Sequence, residues 1–337
     1  MSMGLTRRSF ALGGAALALA GACAPTAAAP ARPMRLILAP CNLGLRPKAD
    51  GSEPGAWRAP AALVEAGLAA GVRANETIEL ARPTYQHDAQ PGTRIRNGQT
   101  LRRFLLELGD RVNEAIGADR FPLVVGGDCS VLLGCLHGAR RAGGRGLVHV
   151  DGHSDFFHPG NYDSAARLGS VAGMDLALAT GRGEALLARW PGVDGPLVAD
   201  ADAIQIGERN ALDADYDSFY GDIVRTGITR LIIQDVQRIG VDETVRRTLA
   251  RMEARGIDRA WLHVDLDVLD AAVMPAVDSP GSPGFDFAQL GALLAGLKRS
   301  GRFLGAAVAI YDPELDPDGR YGRGIVAMIG AAFGGTS

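Results

Sequence analysis

The stretch Gly146-Leu147-Val148-His149-Val150-Asp151-Gly152-His153-Ser154-Asp155 decides the fold. Its first five residues form an apolar run with the length of a buried strand. Three potential metal ligands then leave it at i, i+2 and i+4. In extended backbone such residues share one side, so Asp151, His153 and Asp155 converge. A second stretch, Ala260-Trp261-Leu262-His263-Val264-Asp265-Leu266-Asp267, repeats the arrangement, with Asp265 and Asp267 on one side. Carboxylates gathered at two strand ends repel one another unless a cation neutralises them. Oxygen-rich ligation with one or two imidazoles suits a hard divalent ion such as Mn²⁺.

Working outward, apolar strands alternate with amphipathic helices. Strands are expected at Met34–Ala39, Pro122–Val125, Val148–Val150, Ala203–Ile206, Leu231–Ile233, Trp261–Val264 and Leu304–Ile310. Helical patterns cover Ala61–Ala70, Leu101–Ile116, Asp242–Arg255 and Phe287–Arg299, and Ser130 is placed to cap a helix running to Arg141. Strands with helices between them predict an α/β fold around a largely parallel sheet. Sites in such sheets form outside the carboxyl ends of the strands. There the two aspartate motifs meet a third turn, Gly126-Gly127-Asp128-Cys129-Ser130, delivered by the Pro122–Val125 strand.

With Asp-x-His-x-Asp, a later Asp-x-Asp and the preceding Gly-Gly-Asp-Cys-Ser in this order, the chain resembles the ureohydrolase family of arginases, agmatinases and formimidoylglutamases. The resemblance runs from about Met34 to the C-terminus. It implies a ureohydrolase domain over 34–337 with a three-layer, arginase-like α/β fold. It implies two Mn²⁺ ions held by Cys129, Asp151, His153, Asp155, Asp265 and Asp267, with Asp155 also counted as catalytic. The implied reaction is hydrolysis of a linear amidine or guanidino C–N bond by hydroxide generated at the metal, releasing urea, ammonia or an amide. The implied partners are a small guanidino or amidine substrate and further copies of the same chain.

Three positions depart from that pattern. Cys129 stands where the family usually has a histidine ligand. It either ligates and shifts the preference toward a softer metal or a single ion, or is an inert buried side chain, or acts as a nucleophile. Ala172 stands where many relatives carry a proton-shuttling histidine, a role that His158 or His87 would take unless each is an ordinary surface-loop histidine. Aligning Asp312-Pro313 with the family's Asn-Pro puts Ile310 where arginases hold the substrate's guanidinium with a glutamate; Glu314 or Asp312 would replace it, unless they serve ordinary turn chemistry. Together these departures sustain a rival reading, a catalytically degenerate ureohydrolase-fold protein that binds a ligand or a partner.

The first thirty residues stand apart. Thr6-Arg7-Arg8-Ser9-Phe10 and the apolar run Ala11–Ala22 read as a twin-arginine-type signal peptide over 1–30, too short to span a bilayer. Such signals export proteins already folded. Ala20-Gly21-Ala22-Cys23 resembles a loose lipobox, which would anchor the protein to the membrane through a lipid on Cys23; cleavage near Ala27–Ala29 would leave it free in the periplasm. The net charge of −3 and the absence of a basic run beyond the signal give no footprint for nucleic acid. Of the four cysteines, none shows paired zinc spacing.

Overall fold

The computed structural model describes Met1 and residues 32–213 and 222–335. The twin-arginine motif and Cys23 lie outside these residues. Eight strands form one sheet: β1 (Met34–Ala39), β2 (Glu76–Glu79), β3 (Phe121–Gly126), β4 (Gly146–Val150), β5 (Ala203–Ile206), β6 (Thr229–Leu231), β7 (Ala260–Asp265) and β8 (Phe303–Ala309). Their order is β2-β1-β3-β8-β7-β4-β5-β6, and every pairing is parallel.

The inner strands are buried along their whole length, and mostly apolar, because helices cover both faces. Alternation in β1 shows the division. Leu36 and Leu38 pack with Leu290, Leu293 and Ile325, from the helices Phe287–Arg299 and Arg320–Phe333. Ile37 and Ala39 pack with Leu101, Leu105 and Leu132, from Gly98–Gly117 and Val131–Arg141. The result is the three-layer α/β architecture expected from the sequence.

Some local expectations shift. The strand anticipated at Leu231–Ile233 ends at Leu231, because the Ile233 amide bonds the Glu208 carbonyl at 3.0 Å and opens the helix Ile233–Ile239. Ser130 does precede its helix but makes no side-chain cap. Asp128 occupies that space instead, accepting from the Ser130 amide at 2.9 Å and the Gly44 amide at 3.0 Å. This makes Asp128 the organiser of the turn after β3.

Candidate metal centre

β4 and β7 are neighbours, with His149 opposite His263 and Val150 opposite Val264. The residues that follow, Asp151 and Asp265, therefore leave the sheet side by side. β8 separates β7 from β3. The turn after β3 reaches across it, fastened by a bond from the Ile310 amide to the Gly127 carbonyl at 2.6 Å. Gly127 must be glycine, since a Cβ there would collide with the Cys41 carbonyl. In this way Cys129, Asp151, Asp155 and Asp265 are brought together although they come from three separate strand ends.

Short backbone bonds aim the carboxylates. Asp151 Oδ1 accepts from the His153 amide at 2.6 Å, Asp265 Oδ1 from the Asp267 amide at 2.8 Å, and Asp267 Oδ1 from the Gly152 amide at 3.2 Å. His153 Nδ1 lies 2.9 Å from Asp267 Oδ2 and 3.8 Å from Asp151 Oδ1. Asp151, His153 and Asp267 bring one ligand atom each to within 4.8 Å of one another, and so do His149, Asp151 and Asp155. Cys129 is buried with its Sγ donating to Asp265 Oδ2. Gly152 has its own constraint: a Cβ would strike the Arg209 guanidinium. That guanidinium donates to the Asp267 carbonyl.

The electrostatics follow from burial and crowding. Burial, and then Asp267, raises the Asp151 pKa to about 7. Burial and the neighbouring aspartates push Asp155 and Asp265 well above the usual carboxylate range. Burial, with Asp265 next, does the same to the Cys129 thiol. For His153 burial acts to lower the pKa, but Asp267 outweighs it and holds the imidazole up at about 9. Asp267 itself is lowered: burial opposes ionisation, but His153 and then Arg209 favour it. Asp151 Oδ2 has no hydrogen-bond partner. An orphaned acceptor among crowded, buried carboxylates and one accessible imidazole is a donor set that fits a divalent cation.

The site opens into a cavity of about 340 Å³. Cys129, His153, Asp155, Asp265 and Asp267 contribute to its floor, and Ala172, Asp278, Ile310 and the cationic Arg46 and Arg167 to its walls. A matching sequence profile, described as Arginase family, covers residues 33–334. The chain belongs to the arginase family. An arginase of Bacillus caldovelox is 28% identical over 258 residues, 76% of this chain and 83% of the relative. The crystal structure of the Bacillus caldovelox arginase superposes with a TM-score of 0.77 at 25% identity, over 90% of this chain and 99% of that one. The Bacillus cereus arginase structure gives 0.76 at 25% identity, over 91% and 99%.

Against the arginase-family pattern, His158 is not part of the cavity wall. Its Nε2 lies 2.7 Å from Asp222 Oδ2, and its Nδ1 accepts from the Gly160 amide at 3.1 Å, so the ring is engaged by Asp222 and by its own loop. Ile310 does face the cavity, as the alignment on Asp312-Pro313 implied. Asp312 and Glu314 do not: Asp312 accepts from the Glu314 and Gly55 amides, and Glu314 pairs with Lys48 and Arg58. Their turn-forming role accounts for both.

Sequence reasoning missed Asp278 and Asp175. Asp278 enters the wall beside Ile310 because Val277 bridges to Tyr311. Burial raises its pKa, and Asp267 adds to the rise. Nothing in Ala276-Val277-Asp278-Ser279 separates it from ordinary loop chemistry. Asp175 opens the short helix Asp175–Ala179 and is fully buried. An aspartate before an apolar helical run reads as a cap, yet Asp175 caps nothing here and points inward.

Proposed function

We propose that this protein is a metal-dependent hydrolase of a linear amidine or guanidino C–N bond, with Mn²⁺ as its resident ion. The observation that carries this reading is the convergence of Asp151 with His153 and Asp267, and with Asp155, behind a cavity sized for a small molecule whose lining includes His153, Asp155, Asp265 and Asp267. Asp151, His153 and Asp267 would hold one ion, and Asp151 and Asp155, with Asp265 beside them, a second. When bound, such ions supply hydroxide at neutral pH and stabilise negative charge on the reacting carbon's substituents.

The chain's own residues then bind and orient. Asp278 is the carboxylate in the wall next to Ile310, so it takes the substrate's cationic amidine or guanidine. Arg46 and Arg167, also in the wall, suit a substrate whose other end carries an anionic group. Leu45, Phe157 and Met174 exclude water from the walls. Ala172 offers no proton, which favours substrates with a weakly basic leaving nitrogen.

The test is a screen of guanidino compounds and amidines with Mn²⁺-loaded protein, measuring urea and ammonia together. The expected result is turnover of a substrate other than arginine, abolished by chelation. Metal-loaded protein that turns over none of these compounds, but binds one of them tightly, would favour the catalytically degenerate reading. The same proposal includes export through the twin-arginine route, on the strength of Arg7-Arg8 before a mildly apolar run.

A further inference from the structure

Behind the carboxylate floor lies a second layer of polar side chains that the hydrolytic reading leaves unused. His149 and His263 are register partners on β4 and β7, on the same face as Asp151 and Asp265 and fully buried. Their rings stack with centroids 5.4 Å apart and planes 13° from parallel. Asp175 closes the layer: its Oδ1 is 3.4 Å from His149 Nε2 and its Oδ2 is 3.9 Å from His263 Nε2. Apart from the 3.4 Å approach of His149 Nε2 to Asp175 Oδ1, no nitrogen of either ring and no oxygen of Asp175 has a hydrogen-bond partner. Buried polar atoms are almost always satisfied, so a whole layer of orphans points to an absent partner.

His149 shows where that partner sits. Its Nε2 is 3.6 Å from Asp151 Oδ2, itself an orphan, and His149, Asp151 and Asp155 have ligand atoms mutually within 4.8 Å. Cys129 is engaged with Asp265 and belongs to no such convergent group among the described residues. We propose that His149 is the imidazole ligand of the inner cation, supplying with Asp151 and Asp155 the nitrogen that Cys129, at the motif's histidine position, does not. This rests on the metal-dependent reading above. Asp175 lies within reach of the same nitrogen and adds an oxygen donor or a counter-charge, while His263 sets the ring plane by stacking. An imidazole in this place keeps the site suited to Mn²⁺, whereas a thiolate would draw it toward softer ions.

The experiment titrates Mn²⁺ into metal-free, full-length protein and reads bound ion by elemental analysis and nitrogen coupling to bound Mn²⁺ by pulsed EPR. Wild type is expected to bind two ions, each with imidazole coupling. His149→Gln is expected to weaken one ion by at least the roughly 10–100-fold that loss of even an outer-shell partner costs. That ion should also lose its nitrogen coupling while the ion at His153 and Asp267 keeps its own. Adding Cys129→His to His149→Gln is expected to restore the lost affinity. Cys129→His alone is expected to change affinity little, because the imidazole is already present, and this comparison stands even if His149→Gln does not fold. Retention of both ions and both couplings in His149→Gln, or a tenfold gain from Cys129→His alone, would overturn the assignment of His149. A wild type that binds no Mn²⁺ would overturn the metal-dependent reading itself, and this assignment with it.

Discussion

Asp267 and His153 show how one contact sets a charge state. The 2.9 Å pairing holds His153 ionised to about pH 9 in the metal-free protein, against the effect of burial. Removing the negative charge with Asp267→Asn should let burial prevail, so the His153 pKa is expected to fall below its ordinary value of about 6.5. An NMR titration of metal-free protein reads this directly, and an unchanged value near 9 would mean that Asp151 alone sustains it. Asp278 carries the second residue-scale expectation. If it holds the substrate's cation, Asp278→Asn should raise KM for cationic substrates by roughly tenfold to a hundredfold, the worth of about 1.5–3 kcal/mol for a hydrogen bond to a charged group. Neutral amidines should be affected much less; equal effects on both would place Asp278 outside substrate recognition.

At the scale of the element, the ends of β4 and β7 carry aspartates that the metal-free fold tolerates best when protonated. The folded pKa of Asp151 is about 7, above the unfolded value of about 3.9, and those of Asp155 and Asp265 are also raised well above the usual carboxylate range. Groups raised in this way favour the folded state below the unfolded pKa, and that contribution is lost as pH rises through the folded pKa. The melting temperature of metal-free protein should therefore fall between about pH 4 and pH 8. Added Mn²⁺, which competes with those protons, should stabilise more at pH 8 than at pH 5. A metal-free melting temperature that rises over this window would contradict the raised carboxylate pKa values. The loop after β4 carries a steric expectation: Gly152→Ala places a methyl against Arg209. It should cost about 1–3 kcal/mol in denaturant unfolding, as overpacking does.

The elements also show what could be read in advance. β3, β4, β7 and β8 are fully buried and mostly apolar because both faces are covered, and so they stand out in the sequence. β2, Glu76-Thr77-Ile78-Glu79, was invisible because an edge strand buries little: its residues are no more than half-buried. The helix Arg320–Phe333 was hidden by the glycines Gly322, Gly324 and Gly330, which look like breakers in sequence. Gly322 and Gly330 instead permit close approach to Tyr311 and to Gly71. The convergence of the strand-end aspartates was legible from strand periodicity alone. His149 was not: a histidine on a core strand reads as a satisfied core residue, and only the folded arrangement shows its ring turned toward Asp151 and Asp175.

For the whole molecule, the family shows the fold and the class of chemistry, and the proposed substrate preference rests on the departures. Ile310 can give a guanidinium neither charge nor a hydrogen bond, and Ala172 removes a general acid worth about 10²–10⁴-fold. With Mn²⁺-replete protein, kcat/KM for arginine is expected to stay below about 10⁴ M⁻¹s⁻¹, the lower edge of ordinary enzymes. A higher value would show that Asp278 substitutes fully for the missing glutamate. Replacing Arg7 and Arg8 with Lys should leave unprocessed precursor in the cytoplasm; export that continues in cells lacking the twin-arginine translocase would refute that route.

The central claim is that the two strand-end motifs hold divalent ions together, and metal content tests it most directly. Wild-type protein and Asp265→Ala/Asp267→Ala are each equilibrated with Mn²⁺, freed of excess ion and analysed for bound metal alongside thermal unfolding. The account predicts two tightly held ions in wild type, loss of at least one in the double variant, and loss of the stabilisation that Mn²⁺ confers. Equal metal content in the two proteins would contradict it.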